Sequence, residues 1–231
     1  MAIITNSTSI EAHARETIQT LFAFITKQGN TDYLGEAVSQ LQHSLQAATL
    51  AQQAGANDET VLGALLHDVG RFIPDADEMP SMIAPDGTFV GKASHEVLGE
   101  RYLRQLGFSE HICQLVGSHV IAKRYLCAVD AAYFDGLSWN SKTTLKYQVR
   151  VPILKSSSSN SHDRWQGGPF DEKEIAEAQQ DPLLEAKLAV RRWDDLAKDP
   201  EMKTPSLNDF QEMAIQSLMH SRSSSELHNS T

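Results

Sequence analysis

Leu65-Leu66-His67-Asp68-Val69-Gly70 decides how this chain is read. A histidine and an aspartate stand side by side at the end of an apolar helical stretch, with a glycine close behind. Neighbouring side chains on a helix point about 100° apart, so the two cannot pack alike. Both reach one metal centre if the helix ends there. Gly70 fits such an ending, since glycine accepts the left-handed conformation that closes a helix. Taken alone, the pair reads as a capped helix end with a solvated acid. The histidines around it change that reading.

Composition bounds the rest. The 231 residues suit one domain with a single core. Hydrophobic content of 41% and charged content of 22% describe an ordinary soluble globular chain. A net charge of -10 argues against nucleic acid or an anionic membrane as the main partner. An anionic ligand would then be held by a few local cations. Met1 to Ser9 carry no basic or apolar signal region, and no apolar run nears the roughly 20 residues of a membrane span. Cys113 and Cys127 fall in helix-like stretches without metal-type spacing, as reduced core residues of a cytoplasmic protein do. No pattern in the chain specifies an oligomeric state.

Helical periods run outward from the central stretch. A first helix spans 10–27, with Ile10, Ile18, Leu21, Phe22 and Ile25 as its stripe. A second begins after Tyr33 and ends near Gly55; if helical from the start, it sets Glu36, Gln40 and His43 on one polar stripe. Asn57 or Asp58 caps the third, which leads into His67-Asp68. Residues 71–93, with three prolines and two glycines, form a long connection of the kind that often serves as a lid. A helix over 94–106 closes at Gly107, and Ser109 caps the next, where Ile112, Leu115, Val116, His119 and Lys123 share a face. His111 lies off that face, which is the reason for choosing His119 as a ligand. A short helix follows at 141–147, then a serine-rich disordered insertion at 149–166, a helix over 182–198 and a last one over 207–219. The expectation is an all-α helical bundle forming one domain over 1–220, with a disordered tail at 221–231.

In chain order, His43, the pair His67-Asp68, His95, His119 and Asp194 each fall on a different predicted helix. Helical proteins build metal sites from inward side chains of facing helices. A single histidine on an apolar face is more often a satisfied core residue than a ligand. Four of the nine histidines, spread one per helix beside an aspartate, point to metal. Imidazole with carboxylate suits iron, manganese or zinc, and a carboxylate can bridge two ions.

The order His43, His67-Asp68, Asp194 resembles the HD-domain superfamily, named for its His-Asp pair. His95 and His119 between them resemble its two-metal subset, which divides into phosphohydrolases and mixed-valent di-iron oxygenases. Longer stretches separate these. Asp32-Tyr33-Leu34-Gly35-Glu36-Ala37-Val38-Ser39-Gln40-Leu41-Gln42-His43-Ser44-Leu45-Gln46 resembles the oxygenases that cleave carbon–phosphorus bonds, the 2-amino-1-hydroxyethylphosphonate dioxygenase-like family. So do Gln52-Gln53-Ala54-Gly55-Ala56, His119-Val120-Ile121-Ala122-Lys123-Arg124-Tyr125-Leu126, Gln166-Gly167-Gly168-Pro169 and Arg192-Trp193-Asp194.

The resemblance implies two iron ions, Fe(II)/Fe(III). His43, His67 and Asp194 would hold one and His95 and His119 the other, with Asp68 as the bridge, and His67-Asp68 at the centre of the chemistry. It implies a small phosphonate and O2 as the molecules bound, and cleavage of a 1-hydroxyphosphonate to a carboxylic acid and phosphate. Lys123 and Arg191 match positions lining the phosphonate pocket, joined by Ser141 and Thr144. Each cation lies within one helical turn of a ligand, where an anion on the metals could be reached. Tyr33 and Glu36 match a segment that senses the substrate amine.

Two features depart from the family pattern. Arg71 stands where those oxygenases carry a histidine near the phosphonate; it keeps a cationic donor but is larger and does not titrate, which bears on substrate choice. The insertion interrupts a segment that is continuous in the family. Two other classes stay open: an HD-type metal-dependent phosphohydrolase acting on a nucleotide or other phosphate ester, and a non-catalytic interaction protein whose metal site has decayed.

Overall fold

Apolar residues at helical spacing build α1 (Ala2–Gln28), which buries Ala14, Ile18, Leu21, Phe22 and Ile25 on one side. The computed structural model describes residues 2–31, 33, 36–73, 76, 78–83, 87, 89–146 and 167–228. Next comes α2 (Gln40–Gln53), whose start is set by a reciprocal cap. Gln42 N–H donates to the Ser39 hydroxyl at 3.2 Å, and Ser39 N–H donates to the Gln42 side chain at 2.8 Å. The expected earlier start is therefore corrected. Before Ser39 the chain turns, with Glu36 N–H donating to the Tyr33 carbonyl at 2.8 Å and Tyr33 N–H to the Val38 carbonyl at 3.0 Å. Glu36 is off the helix and shares no stripe with His43.

Asn57 caps α3 (Asp58–Leu66), accepting from Thr60 N–H at 2.9 Å. The helix ends at His67 as predicted, but Gly70 does not end it in a left-handed conformation. Gly70 lies inside a short 3-10 turn, Val69–Arg71, and its φ is not positive. Glycine is needed there for a close approach instead: a Cβ would meet the His95 carbonyl oxygen at 2.0 Å and Gly99 N at 2.9 Å. The connection after it holds an antiparallel pair, β1 (Ser81–Ile83) and β2 (Phe89–Lys92), with Ser81 opposite Lys92 and a register shift after Met82. Strands this short show no period-2 pattern, which is why the sequence did not disclose them.

Gly107, at φ 94°, closes α4 (His95–Leu106), and Ser109 caps α5 (Glu110–Val129) by accepting from Ile112 N–H. Two short helices follow, α6 (Ala131–Gly136) and α7 (Trp139–Leu145). The insertion at 149–166 lies outside the described residues. The chain resumes in α8 (Glu172–Ala178), which buries no residue and so left no apolar stripe to read. Then come α9 (Leu184–Leu196), a 3-10 turn at Leu207–Phe210 and α10 (Gln211–His228). Helix α10 runs further than the sequence pattern predicts, through residues assigned to the tail.

Helix α5 is the axis of the bundle, packing against α3, α4 and α9, while α2 packs on α3 and α9, and α1 on α10. Leu62, Leu65 and Leu66 of α3, Ile112 and Leu115 of α5, and Phe210 and Ile215 near the C-terminus join α1 in one apolar cluster. Each such buried side chain contributes about 1.5–3 kcal/mol. The all-α expectation holds apart from the short hairpin. Among the described residues, no helix is long and apolar enough to cross a membrane.

Candidate metal centre

Five elements of this bundle point a polar side chain into one spot. His43 comes from the first turn of α2, His67 and Asp68 from the end of α3, His95 from the first residue of α4, His119 from mid-α5 and Asp194 from the last turn of α9. None of the six is more than 3% exposed. The chosen phase of α5 is visible here, since His119 faces inward while His111 stands 3.7 Å from Glu59 at the surface side.

The imidazoles meet in pairs. His43 Nε2 lies 3.0 Å from His67 Nε2, and His95 Nε2 lies 3.0 Å from His119 Nε2. Asp68 stands between the pairs. Its Oδ2 is 3.7 Å from His67 Nε2 and 4.0 Å from His43 Nε2, and its Oδ1 is 3.0 Å from His95 Nε2 and 3.6 Å from His119 Nε2. Asp194 Oδ1 completes the first side, 3.2 Å from His43 Nε2 and 3.8 Å from His67 Nε2. His43, His67 and Asp68, and again Asp68, His95 and His119, form two groups whose ligand atoms lie within 4.8 Å of one another.

Backbone carbonyls decide where the ring protons sit. His43 Nδ1–H donates to the Ala197 carbonyl at 2.9 Å, His67 Nδ1–H to Ala64 at 2.7 Å and His119 Nδ1–H to Val116 at 2.9 Å. A carbonyl only accepts, so these Nδ1 atoms carry the proton and the facing Nε2 atoms present bare lone pairs. Two lone pairs at 3.0 Å repel unless a cation lies between them. A shared proton is disfavoured, because burial pushes His67 below the usual imidazole range and His119 well below it, with His95 and His67 adding to the effect on His119. Asp68 Oδ2 is buried with no hydrogen-bond partner, an orphan that a cation would satisfy. The donor set, its tautomers and its orphaned oxygen fit a metal centre.

Two arginines keep the acids ionised. Burial would raise the Asp68 carboxyl, but Arg71, His67 and His95 outweigh it and hold the group well below the usual range. Arg71 Nε stands 2.9 Å from Asp68 Oδ1. Burial likewise works against Asp194, and Arg191 with His43 overrides it. Arg191 Nη1 donates to Asp194 Oδ2 at 2.6 Å, which leaves Oδ1 turned to the histidines.

The other expected site residues divide. Tyr33 stacks on the His43 ring, 3.8 Å between centroids, and its hydroxyl donates to Asp194 Oδ1 at 3.4 Å. Lys123 is 2% exposed, with Nζ donating to Thr144 Oγ1 at 3.0 Å and to the Ser141 backbone carbonyl at 3.3 Å. Ser141 meets Lys123 through its backbone, not its hydroxyl. Burial, with the neighbouring Arg191 charge, lowers Lys123 to about 7. Arg191 donates from Nε to the Tyr133 hydroxyl at 3.1 Å and to Asp195 Oδ2 at 2.9 Å, and pairs with Asp195 again through Nη2. Glu36 pairs with Lys198 at 3.2 Å. Sequence reasoning missed Asp195, although its i,i+4 spacing from Arg191 is a legible ion-pair signal. Tyr133 reaches Arg191 from another helix and left no signal.

The comparisons with known proteins follow the same lines. The HD domain model matches residues 41–199, which span all six residues. Hydroxymethylphosphonate dioxygenase of Gimesia maris is 35% identical over 207 residues, 89% of this chain and 90% of that protein. A 1-hydroxy-2-(trimethylamino)ethylphosphonate dioxygenase (glycine-betaine-forming) of Leisingera caerulea is 37% identical over 187 residues, 81% of this chain and 83% of that one. An uncharacterized protein of Acanthamoeba polyphaga mimivirus is 30% identical over 206 residues, 89% of this chain and 84% of its own. Matched along most of its length, this chain belongs to the HD-domain family, in the group that contains these phosphonate dioxygenases.

Proposed function

We propose that this protein is a di-iron oxygenase that uses O2 to cleave the carbon–phosphorus bond of a small 1-hydroxyphosphonate. One O2 is consumed as the carbon becomes a carboxylic acid and the phosphorus leaves as phosphate, which balances atoms and electrons. The observation that carries this reading is the pair of imidazole dyads on either side of Asp68. The relatives named as dioxygenases support it. His43, His67 and Asp194 would hold one iron, His95 and His119 the other, with Asp68 joining them. Zinc has no redox chemistry, so a reaction with O2 leaves iron or manganese among the metals this donor set suits, and the resemblance to the di-iron oxygenases favours iron. When bound, an Fe(II)/Fe(III) pair supplies the one-electron and O2 chemistry.

The chain's own residues supply orientation and exclusion of water. Arg191, braced by Asp195 and Tyr133, fixes Asp194 so that one oxygen faces the centre. The near-complete burial of the six side chains keeps water from a reactive intermediate. Lys123 is the buried cation for the phosphonate end: an anion beside it draws a proton onto Nζ, replacing a weak internal pairing with Thr144 by a charge-assisted bond. Arg71, Ser141, Thr144, Tyr33 and Glu36 complete the substrate side. The Glu36 carboxylate, held by Lys198, would turn to a substrate ammonium only after releasing that lysine. We place the protein in the cytoplasm, where the buried free thiols Cys113 and Cys127 stay reduced.

The test is phosphate release from a panel of 1-hydroxyphosphonates after loading with ferrous iron and ascorbate, with and without oxygen. Phosphate is expected only with oxygen, alongside the matching carboxylic acid. Turnover of phosphate esters under anaerobic conditions would instead establish the hydrolase.

A further inference from the structure

Arg71 sits among ligand atoms, not beside them. Its Nε is 2.9 Å from Asp68 Oδ1, and its Nη2 donates to His95 Nε2 at 3.3 Å. A guanidinium donates and never accepts. The His95 lone pair that faces His119 is therefore the one that receives Arg71, and Asp68 Oδ1 is the oxygen on that same side. One lone pair cannot serve a guanidinium and a metal ion together. The other side differs: Arg191 takes the far oxygen of Asp194, Oδ2, so that Oδ1 faces His43 and meets a neutral donor, the Tyr33 hydroxyl at 3.4 Å, in place of a guanidinium. Asp68 Oδ2, which faces that side, has no hydrogen-bond partner. The Arg71 side chain is 14% exposed, so its head group can swing outward while its stem stays packed.

We propose that Arg71 is an internal counter-cation guarding the His95–His119 side, displaced when a metal ion enters there, so that the two ligand groups fill in order with the His43–His67–Asp194 side first. This rests on the reading that the centre takes two ions. The guanidinium neutralises Asp68 and occupies a ligand atom of the second group. Entry of the second ion carries the cost of moving it, and by reciprocity the second ion weakens the hold of Arg71 on Asp68.

Metal-free protein is titrated with Mn(II), followed by calorimetry and electron paramagnetic resonance. Two steps are expected, the second at least about tenfold weaker, with an isolated-ion spectrum at one equivalent. Arg71→Gln should tighten the second step about tenfold and the first by less, since Asp68 belongs to both groups but Arg71 meets a ligand nitrogen only on the second side. His119→Ala should remove the second step alone. Two steps of equal affinity, a spin-coupled pair at one equivalent, or a second step unmoved by Arg71→Gln would each overturn the ordering. If Arg71→Gln does not fold without metal, the wild-type spectrum at one equivalent decides: isolated ions support the proposal and coupled pairs overturn it. A single ion at saturation in both proteins overturns the two-ion reading itself, and the ordering with it.

Discussion

Asp68 presents a different oxygen to each imidazole pair, and that geometry sets the expected behaviour of its variants. Asp68→Asn keeps the shape and removes the charge. We expect metal content to collapse on both sides together, by more than the roughly 10–100-fold in affinity that loss of an outer partner costs. Elemental analysis checks it, and a variant retaining two ions per chain would contradict the bridge. Lys123 is testable through pH. Its folded value of about 7 lies below the ordinary 10.5, so between those values the unfolded chain holds the proton that the folded protein has released. The destabilisation is fully present below about pH 7, shrinks as pH rises and is gone above 10.5. Lys123→Met should thus stabilise the fold by up to a few kcal/mol at pH 6 and by little at pH 10, measured by denaturant unfolding. The same variant should weaken phosphonate binding at pH 6. At this scale the six ligand candidates were legible as residue types. The orphaned oxygen and ring tautomers were not, because both depend on which carbonyl or carboxylate lies opposite.

Helix ends place these residues, and glycine 70 shows how an end can be named correctly for the wrong reason. The sequence located the break after His67, but the glycine serves the approach of α4 to the 3-10 turn. Gly70→Ala should cost about 1–3 kcal/mol by overpacking against the His95 carbonyl. It should also lower metal content, since the turn follows directly on Asp68 and α4 carries His95. Asn57→Ala makes the contrast. Loss of its cap on Thr60 should cost about 1 kcal/mol and leave metal stoichiometry unchanged, because α3 still ends at the same residue. Thermal unfolding alongside metal analysis separates the two variants. Caps at Asn57 and Ser109 and the stop at Gly107 were readable because they are local. The start of α2 was misjudged because a turn between Tyr33 and Val38 competes with helix there.

Across the whole molecule, the candidate centre ties together α2, α3, α4, α5 and α9, so metal should stabilise the fold as a unit. A ligand at 100 times its dissociation constant adds about 2.7 kcal/mol, and a chelator should reverse the gain in a melting experiment. Helices α1 and α10, which pack on each other and carry none of the six residues, should respond to metal only through the common transition. By itself the sequence determined that the chain is helical and where most helices stop, and its resemblance to HD-domain proteins named His43, His67, Asp68, His95, His119 and Asp194 as one set; the packing of the helices brings them together. Helical period, caps and residue order along the chain are local properties that survive without a fold. Only the tertiary structure decided that Arg71 enters the His95 side, that Arg191 is shared among Asp194, Asp195 and Tyr133, and that Glu36 meets Lys198. These are pairings of charges brought close by packing, and charge selects its partner by distance in space rather than by place in the chain.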